Sequence, residues 1–135
     1  MELQVGVKIL LQNKEGKYLI LLRSKEKYPE IETKQLWDII GGRIIPGSSL
    51  FENLKREVEE ETSLVLEQEP KLIAAQDILR VLGKHVVRLT YLGNAKGEPK
   101  LNEEHTDFKW CSIEELKSAP DLDMYLKELL NKGVF

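Results

Sequence analysis

The chain has one cysteine, Cys111, in 135 residues. An intramolecular disulfide is therefore impossible, and a cysteine-rich zinc cluster has no ligands to draw on. Prolines number five and glycines nine, too few for a fibrous or disordered chain. No hydrophobic run approaches the roughly 18 apolar residues that a membrane-spanning helix needs. Lys8 breaks the first apolar stretch and Arg23 the second. The first residues carry Glu2 and no basic cluster, so a cytoplasmic protein without a secretory leader is expected. Charge of one sign is also lacking. Twenty Lys and Arg against 23 Asp and Glu leave a net charge of −3, which argues against a nucleic-acid polymer as partner. What is present is the composition of an ordinary globular chain, 41% hydrophobic and 32% charged. It fits a single domain over residues 1–135, as monomer or homodimer, able to bury about two thirds of its unfolded surface.

Alternation of Val5, Val7, Ile9 and Leu11 with more polar neighbours predicts a strand over 4–11. Residues 18–23 (YLILLR) read as a second strand, apolar enough to be covered on both faces, and the turn Asn13–Gly16 predicts that the two form a hairpin. Residues 24–34 are polar, contain Pro29 and read as a loop of a length that often carries function. A short strand, Leu36–Ile40, is expected to end at Gly41-Gly42. Further strands are expected over 71–81, 84–92 and 107–112, with a loop over 94–102. Helical segments are expected over 113–117 and 122–132. Strands in mixed order around one strong central helix imply an α/β (α+β) fold, a mixed sheet with helices packed on it.

That central helix spans Ser49–Thr62. Ser49 and Glu52 stand in capping-box spacing behind the Pro46-Gly47 turn. At about 100° per residue, Leu50, Phe51, Leu54 and Val58 form the apolar stripe, while Glu52, Lys55 and Glu59 face water. Glu57, Glu60 and Glu61 cluster at the edge of the stripe, with Glu61 on its buried side. Most acidic runs are only solvated faces. Here three carboxylates one turn apart repel one another by about 0.2–0.5 kcal/mol per pair even when exposed, and burial adds to that. Arg56 can pair with Glu60 or with Glu52 but cannot serve all three. A hard divalent cation could, so this face is a candidate oxygen-ligand metal site, with Gly41-Gly42 letting a backbone carbonyl approach.

The same residues resemble the Nudix box, G-x5-E-x7-R-E-U-x-E-E-x-G-U with U aliphatic. Gly42 matches the first glycine, residues 56–61 (REVEEE) match R-E-U-x-E-E, and Leu64 matches the last aliphatic. Ser48 stands where the family has its first Glu, Ser63 where it has its second Gly, and Ile45 replaces a common acid. Leu36-Trp37 ahead of the box and residues 104–110 (EHTDFKW) followed by 113–116 (IEEL) are similar to the family's flanks. The resemblance implies a Nudix-like α/β/α sandwich around a mixed β-sheet. It implies Mg²⁺-dependent hydrolysis, with Mn²⁺ as substitute, of the pyrophosphate linkage in a nucleoside diphosphate derivative. The small-molecule substrate would be a nucleoside triphosphate, a dinucleoside polyphosphate or a nucleotide sugar. It implies Gly42, Glu57, Glu60 and Glu61 as metal ligands, Glu57 as a candidate base, Glu104 as an acid that completes the metal set or acts as base, and Arg56 as orienter of the glutamates.

Arg23, Tyr28 and Arg43 are candidate substrate-binding residues; Arg23 can grip phosphate bidentately and Tyr28 can stack on a base. Trp37 and Trp110 are expected to pack the core, Cys111 to be a small buried hydrophobe, and His105 to be an exposed loop histidine. The Ser48 and Ser63 departures predict a retuned metal affinity and a strained helix end. Two rivals to the enzyme remain: a weakened Nudix-like module that senses a nucleotide without cutting it, and a partner-binding domain, which leaves the acids without a cause.

Overall fold

Val7, Ile9 and Leu11 bury on one face of β1 (Glu2–Gln12) and Leu10 on the other, so this strand is covered on both sides. In β2 (Tyr18–Arg23), Leu19 and Leu21 join the first face and Tyr18 and Ile20 the second. The computed structural model describes residues 1–29 and 36–135. The polar loop expected over 24–34 thus lies partly outside the described residues.

The expected β1–β2 hairpin exists only at its turn. The two strands pair at Gln12 and Tyr18 and then diverge. The segment 37–43 enters the fork between them. Its first part, β3 (Trp37–Asp38), pairs with Leu21 and Leu22, and its second, β4 (Ile40–Arg43), pairs with Gly6 to Ile9. Gly41 and Gly42 therefore lie within a strand and do not end one. Along its other edge β1 runs parallel to β7 (Lys84–Lys96), in register from Glu2↔Lys84 to Gln12↔Asn94. That long template carries β7 through residues expected as loop. β5 (Val65–Leu66), unforeseen because it is two residues long, pairs with its end at Ala95 and Lys96. β6 (Lys71–Ile78) flanks β7 and stops three residues short of Val81. β8 (His105–Cys111) pairs antiparallel with β2, starting two residues earlier than expected.

α1 (Leu50–Thr62) lies on one face of the sheet, where Leu54 and Val58 join Val7, Ile9, Leu21 and Ile40. α2 (Ile113–Ser118) and α3 (Met124–Asn131) cover the other, where Leu116, Leu126 and Leu130 join Leu10, Ile20, Ile39 and Trp37. This is the α/β/α sandwich. Trp37 and Cys111 are buried, at 8% and 4% exposure, and Trp110 packs half-buried against the α1 side.

The ends of the helices follow local chemistry. Pro46-Gly47 makes a turn closed by Ser48 N–H donating to the Ile45 carbonyl at 3.0 Å, with φ of 90° at Gly47, where glycine carries no steric cost. Ser49 Oγ then accepts from Glu52 N–H at 3.1 Å. Only this half of the expected capping box forms, because the Glu52 carboxylate accepts from Ser48 Oγ at 3.4 Å. Ser63, standing where the family has glycine, adopts φ of 61°. α3 begins two residues later than expected, because Asp123 Oδ2 caps it by accepting from Tyr125 and Leu126 N–H at 3.1 and 3.0 Å.

Candidate active site

Burial on α1 is turned toward its acidic side. Leu50 and Phe51, expected in the apolar stripe, are 38% and 37% exposed, whereas Asn53 and Glu61 are 0% and 2% exposed. Asn53 and Glu61 lie about 40° to either side of Glu57 on the helical wheel. Asn53 explains the tilt. Its Oδ1 accepts from Ile45 N–H and from Arg56 Nη1, both at 3.0 Å, and its Nδ2 donates to the Ser48 and Ser49 carbonyls at 3.2 and 2.6 Å. The loop from β4 is thereby fastened to α1, and the acids face β4.

Glu61 reaches furthest in. Its Oε2 accepts from the Gly41 N–H at 3.3 Å. Burial pushes its carboxyl up to about 10, helped by a hydrogen bond with Glu57 and by the charges of Glu57 and Glu104, against the pull of Lys8. Glu57 lies against Gly42, where an added Cβ would sit 3.0 Å from its Oε1. Glycine at 42 is what lets β4 approach this carboxylate. Arg56 Nη2 donates to Glu57 Oε1 at 3.0 Å, and its Nε stands 3.9 Å from Glu60 Oε1. The pairing foreseen with Glu52 is replaced by Glu57 and Asn53. Glu60 lies outside the buried cluster, its side chain 58% exposed.

Across from α1, the start of β8 brings Glu104 and His105. Oxygens of Glu61 and Glu104 and a ring nitrogen of His105 lie within 4.8 Å of one another. His105 is not the exposed loop residue that its polar neighbours suggest. It is 9% exposed, because β8 begins at this residue and pairs it with Arg23 of β2. Its Nδ1 stands 3.7 Å from Glu61 Oε1 and has no hydrogen-bond partner among the described residues. Burial, with Lys8 and Arg23 nearby, pulls the imidazole down to about 4. Tyr28 closes this side. Its hydroxyl hydrogen-bonds the Glu104 carboxylate; burial first, then that carboxylate, pushes the phenol up to about 12. The Ser24 N–H donating to the Glu104 carbonyl at 2.9 Å anchors the same corner.

Glu61, Glu104, His105 and Tyr28 line a cavity of about 410 Å³ whose wall also carries the basic Lys8, Arg23, Arg43, Arg80 and Arg88 and the acid Asp123. Behind it Asp38, 1% exposed, takes Arg23 Nη2, Lys8 Nζ at 3.0 Å and Arg88 Nη2 at 3.3 Å. Burial would raise this carboxyl, but Lys8, Arg88 and Arg23 together hold it well below the usual carboxylate range. Arg88 Nη2 also contacts Asp123 Oδ2 at 3.1 Å. Arg43 lines the cavity with its Nε donating to Gln4 Oε1 at 2.9 Å, and burial beside Arg23 and Arg88 lowers its pKa. Sequence reading missed Lys8, Asp38, Arg88 and Asp123. Lys8 inside an alternating strand and Asp38 inside the apolar run LWDII were the available signals, since a charge in such a position needs a partner. His85 lies away from this cluster and pairs on the surface with Asp77 at 2.7 Å.

What the cluster can do chemically is hold a divalent cation beside a basic wall suited to phosphate. No curated protein matches the chain significantly. Solved structures do. The MutT protein of Methanosarcina mazei Go1 is similar over 97% of this chain and 92% of its own, at 27% identity and a TM-score of 0.82. The MutT NUDIX hydrolase of Burkholderia pseudomallei (22% identity, 97% and 98% covered, TM-score 0.78) shares the fold. So does the ORF135 protein of E. coli (23% identity, 97% and 88% covered, TM-score 0.78). The family model for the NUDIX domain matches residues 2–132. The chain belongs to the Nudix family and is an enzyme of its pyrophosphohydrolase class.

Proposed function

We propose that this chain hydrolyses the phosphoanhydride of a nucleoside diphosphate derivative, taken as a nucleoside triphosphate, dinucleoside polyphosphate or nucleotide sugar, with Mg²⁺ or Mn²⁺ bound at the acids. The observation that carries this is Glu61, 2% exposed in a cavity wall beside Glu57, Glu104 and His105. Buried acids at this density repel one another and lose solvation, and a divalent cation relieves both. The orphaned Nδ1 of His105 and the close approach of Gly42 to Glu57 support the fit. Gly42, Glu57, Glu60 and Glu61 are the proposed ligands, with Glu104 adjoining.

A bound divalent cation supplies charge neutralisation at the phosphates and a more acidic water. The protein's part is positional. Glu57 is held by Arg56 and Glu104 by the Tyr28 hydroxyl, so either carboxylate is fixed to accept the proton of an attacking water. Arg23 and Arg43 border the same cavity and supply charge to the phosphate chain. Tyr28 lines the same cavity beside Glu104, where it is the candidate to meet the base.

The test is product release from a nucleotide panel with Mg²⁺. Glu104→Gln and Glu57→Gln are expected to lower kcat by about 10²–10⁴-fold for whichever acid is the base. Glu61→Gln is expected to lose turnover through lost cation binding. Equal rates in wild type and Glu61→Gln would remove the mechanism. Neither Ser48 nor Ile45 lines the cavity, and Ser48 Oγ is spent on Glu52, so these departures do not reach the buried acids. That favours cutting over mere sensing.

A further inference from the structure

The ligand set that the family resemblance implies is made of oxygens. In this chain a nitrogen faces it. His105 Nδ1 is buried, has no hydrogen-bond partner among the described residues, and stands 3.7 Å from Glu61 Oε1. That distance is too long for a hydrogen bond, so Glu61 does not satisfy the ring. A buried ring nitrogen without a partner forfeits its solvation for nothing, and cores rarely tolerate one without a purpose. The backbone that carries the imidazole is also held in place. β8 pairs His105 with Arg23 of β2, and the His105 backbone N–H donates to the Asn102 carbonyl at 3.4 Å. A ring nitrogen of His105 lies within 4.8 Å of oxygens from both Glu61 and Glu104, and Nδ1 is the one facing Glu61. Two ligands on one ion with bonds of about 2.1 Å can stand up to about 4.2 Å apart, so the three atoms need to close by well under an ångström to share one cation.

We propose that His105 Nδ1, with Glu61 and Glu104, forms a mixed nitrogen–oxygen site that selects a first-row transition cation such as Mn²⁺ over Mg²⁺. The inference rests on the hydrolase reading only in placing a cation at this cluster. The physical basis is ligand chemistry. Mg²⁺ favours an all-oxygen octahedron and gains little from imidazole, whereas the first-row transition ions gain more from it, Mn²⁺ least and the later divalent ions increasingly. His105 is a candidate ligand, and the Tyr28 hydroxyl bonded to Glu104 positions the neighbouring one.

The chain has two histidines, which makes the test direct. Protein without tag histidines and carrying His85→Gln, a change at a surface pair, retains imidazole only at 105. Mn²⁺ added alone, without nucleotide, is followed by electron spin-echo envelope modulation. The expected result is ¹⁴N modulation from a directly bound imidazole, absent when His105→Gln is added. Titration calorimetry should show Mn²⁺ affinity falling by about tenfold or more in His105→Gln with Mg²⁺ affinity little changed. The outcome does not depend on the double variant folding, because the single-histidine protein carries the signal by itself. Bound Mn²⁺ without nitrogen modulation overturns the inference and leaves the hydrolase reading intact. No bound divalent cation at all overturns both. Nitrogen modulation in a protein that cuts nothing on the nucleotide panel supports the site and overturns hydrolysis.

Discussion

Asp38, behind the cavity wall, balances the charge of three cations. Lys8, Arg23 and Arg88 all converge on a carboxylate that is 1% exposed. Asp38→Asn would take the paired carboxylate from Lys8 and Arg23 and leave Arg88 with Asp123 alone. Breaking a buried pair from one side costs about 3–5 kcal/mol, so a loss in that range is expected in urea unfolding at pH 7. The pH dependence has a definite sign. Asp38 titrates lower in the folded chain than in the unfolded one. Its contribution is complete above the unfolded value of about 4 and is lost as pH falls through the range beneath it. The difference in urea midpoint between wild type and Asp38→Asn should therefore hold from pH 7 to 5 and shrink below 4. A constant difference down to pH 3 would contradict it. Ser63 offers the opposite case. Its φ of 61° suits glycine, and Ser63→Gly should stabilise by up to about 1 kcal/mol in the same assay, with no change in product spectrum.

Between residues and fold, α1 decides where the chemistry faces, and Asn53 decides where α1 faces. Its amide satisfies Ile45 N–H, Arg56 and two carbonyls at the loop that leads from β4. Asn53→Leu keeps the volume and strands those groups, at an expected cost of about 1–3 kcal/mol. It should also lower turnover by freeing Arg56, and an unchanged kcat would show that the tether has no part in placing Glu57. The sequence announced this helix well. The capping serine, the apolar positions Leu54 and Val58 and the inward Glu61 all follow from 3.6-residue periodicity and local chemistry. The tilt did not, because a buried asparagine looks polar until its partners from another element are known. Strand existence was legible for the same local reasons, but pairing was not. The fork that admits residues 37–43 between β1 and β2 is a long-range choice, made by the parallel template of β7. His105 is buried for a related cause: its neighbours in sequence are polar, and the groups that meet it, Arg23 of β2 and Glu61 of α1 among them, are distant in sequence.

For the molecule as a whole, the acids sit where separate pieces of chain meet. Glu57 and Glu61 arrive on α1, Gly41 and Gly42 on β4, Glu104 and His105 at the start of β8, and Tyr28 on the loop after β2. A cation at that junction ties elements far apart in sequence, and the unfolded chain cannot reproduce the arrangement. Binding to the folded state alone stabilises by about 2.7 kcal/mol when the free ion is at 100 times its Kd. For a chain of this size that is a rise in Tm of roughly 10 °C, reversed by a chelator. A non-specific effect of divalent ions on a chain with net charge −3 would give a smaller shift, shared by Ca²⁺ at equal ionic strength and indifferent to one buried residue. Glu61→Gln separates the two. It removes the carboxyl that a cation would ionise and bind while leaving the helix and its caps untouched, so its melting temperature should rise by no more than the non-specific amount when Mn²⁺ is added. An equal rise in wild type and Glu61→Gln would place the bound ion elsewhere and detach the buried acids from metal binding altogether.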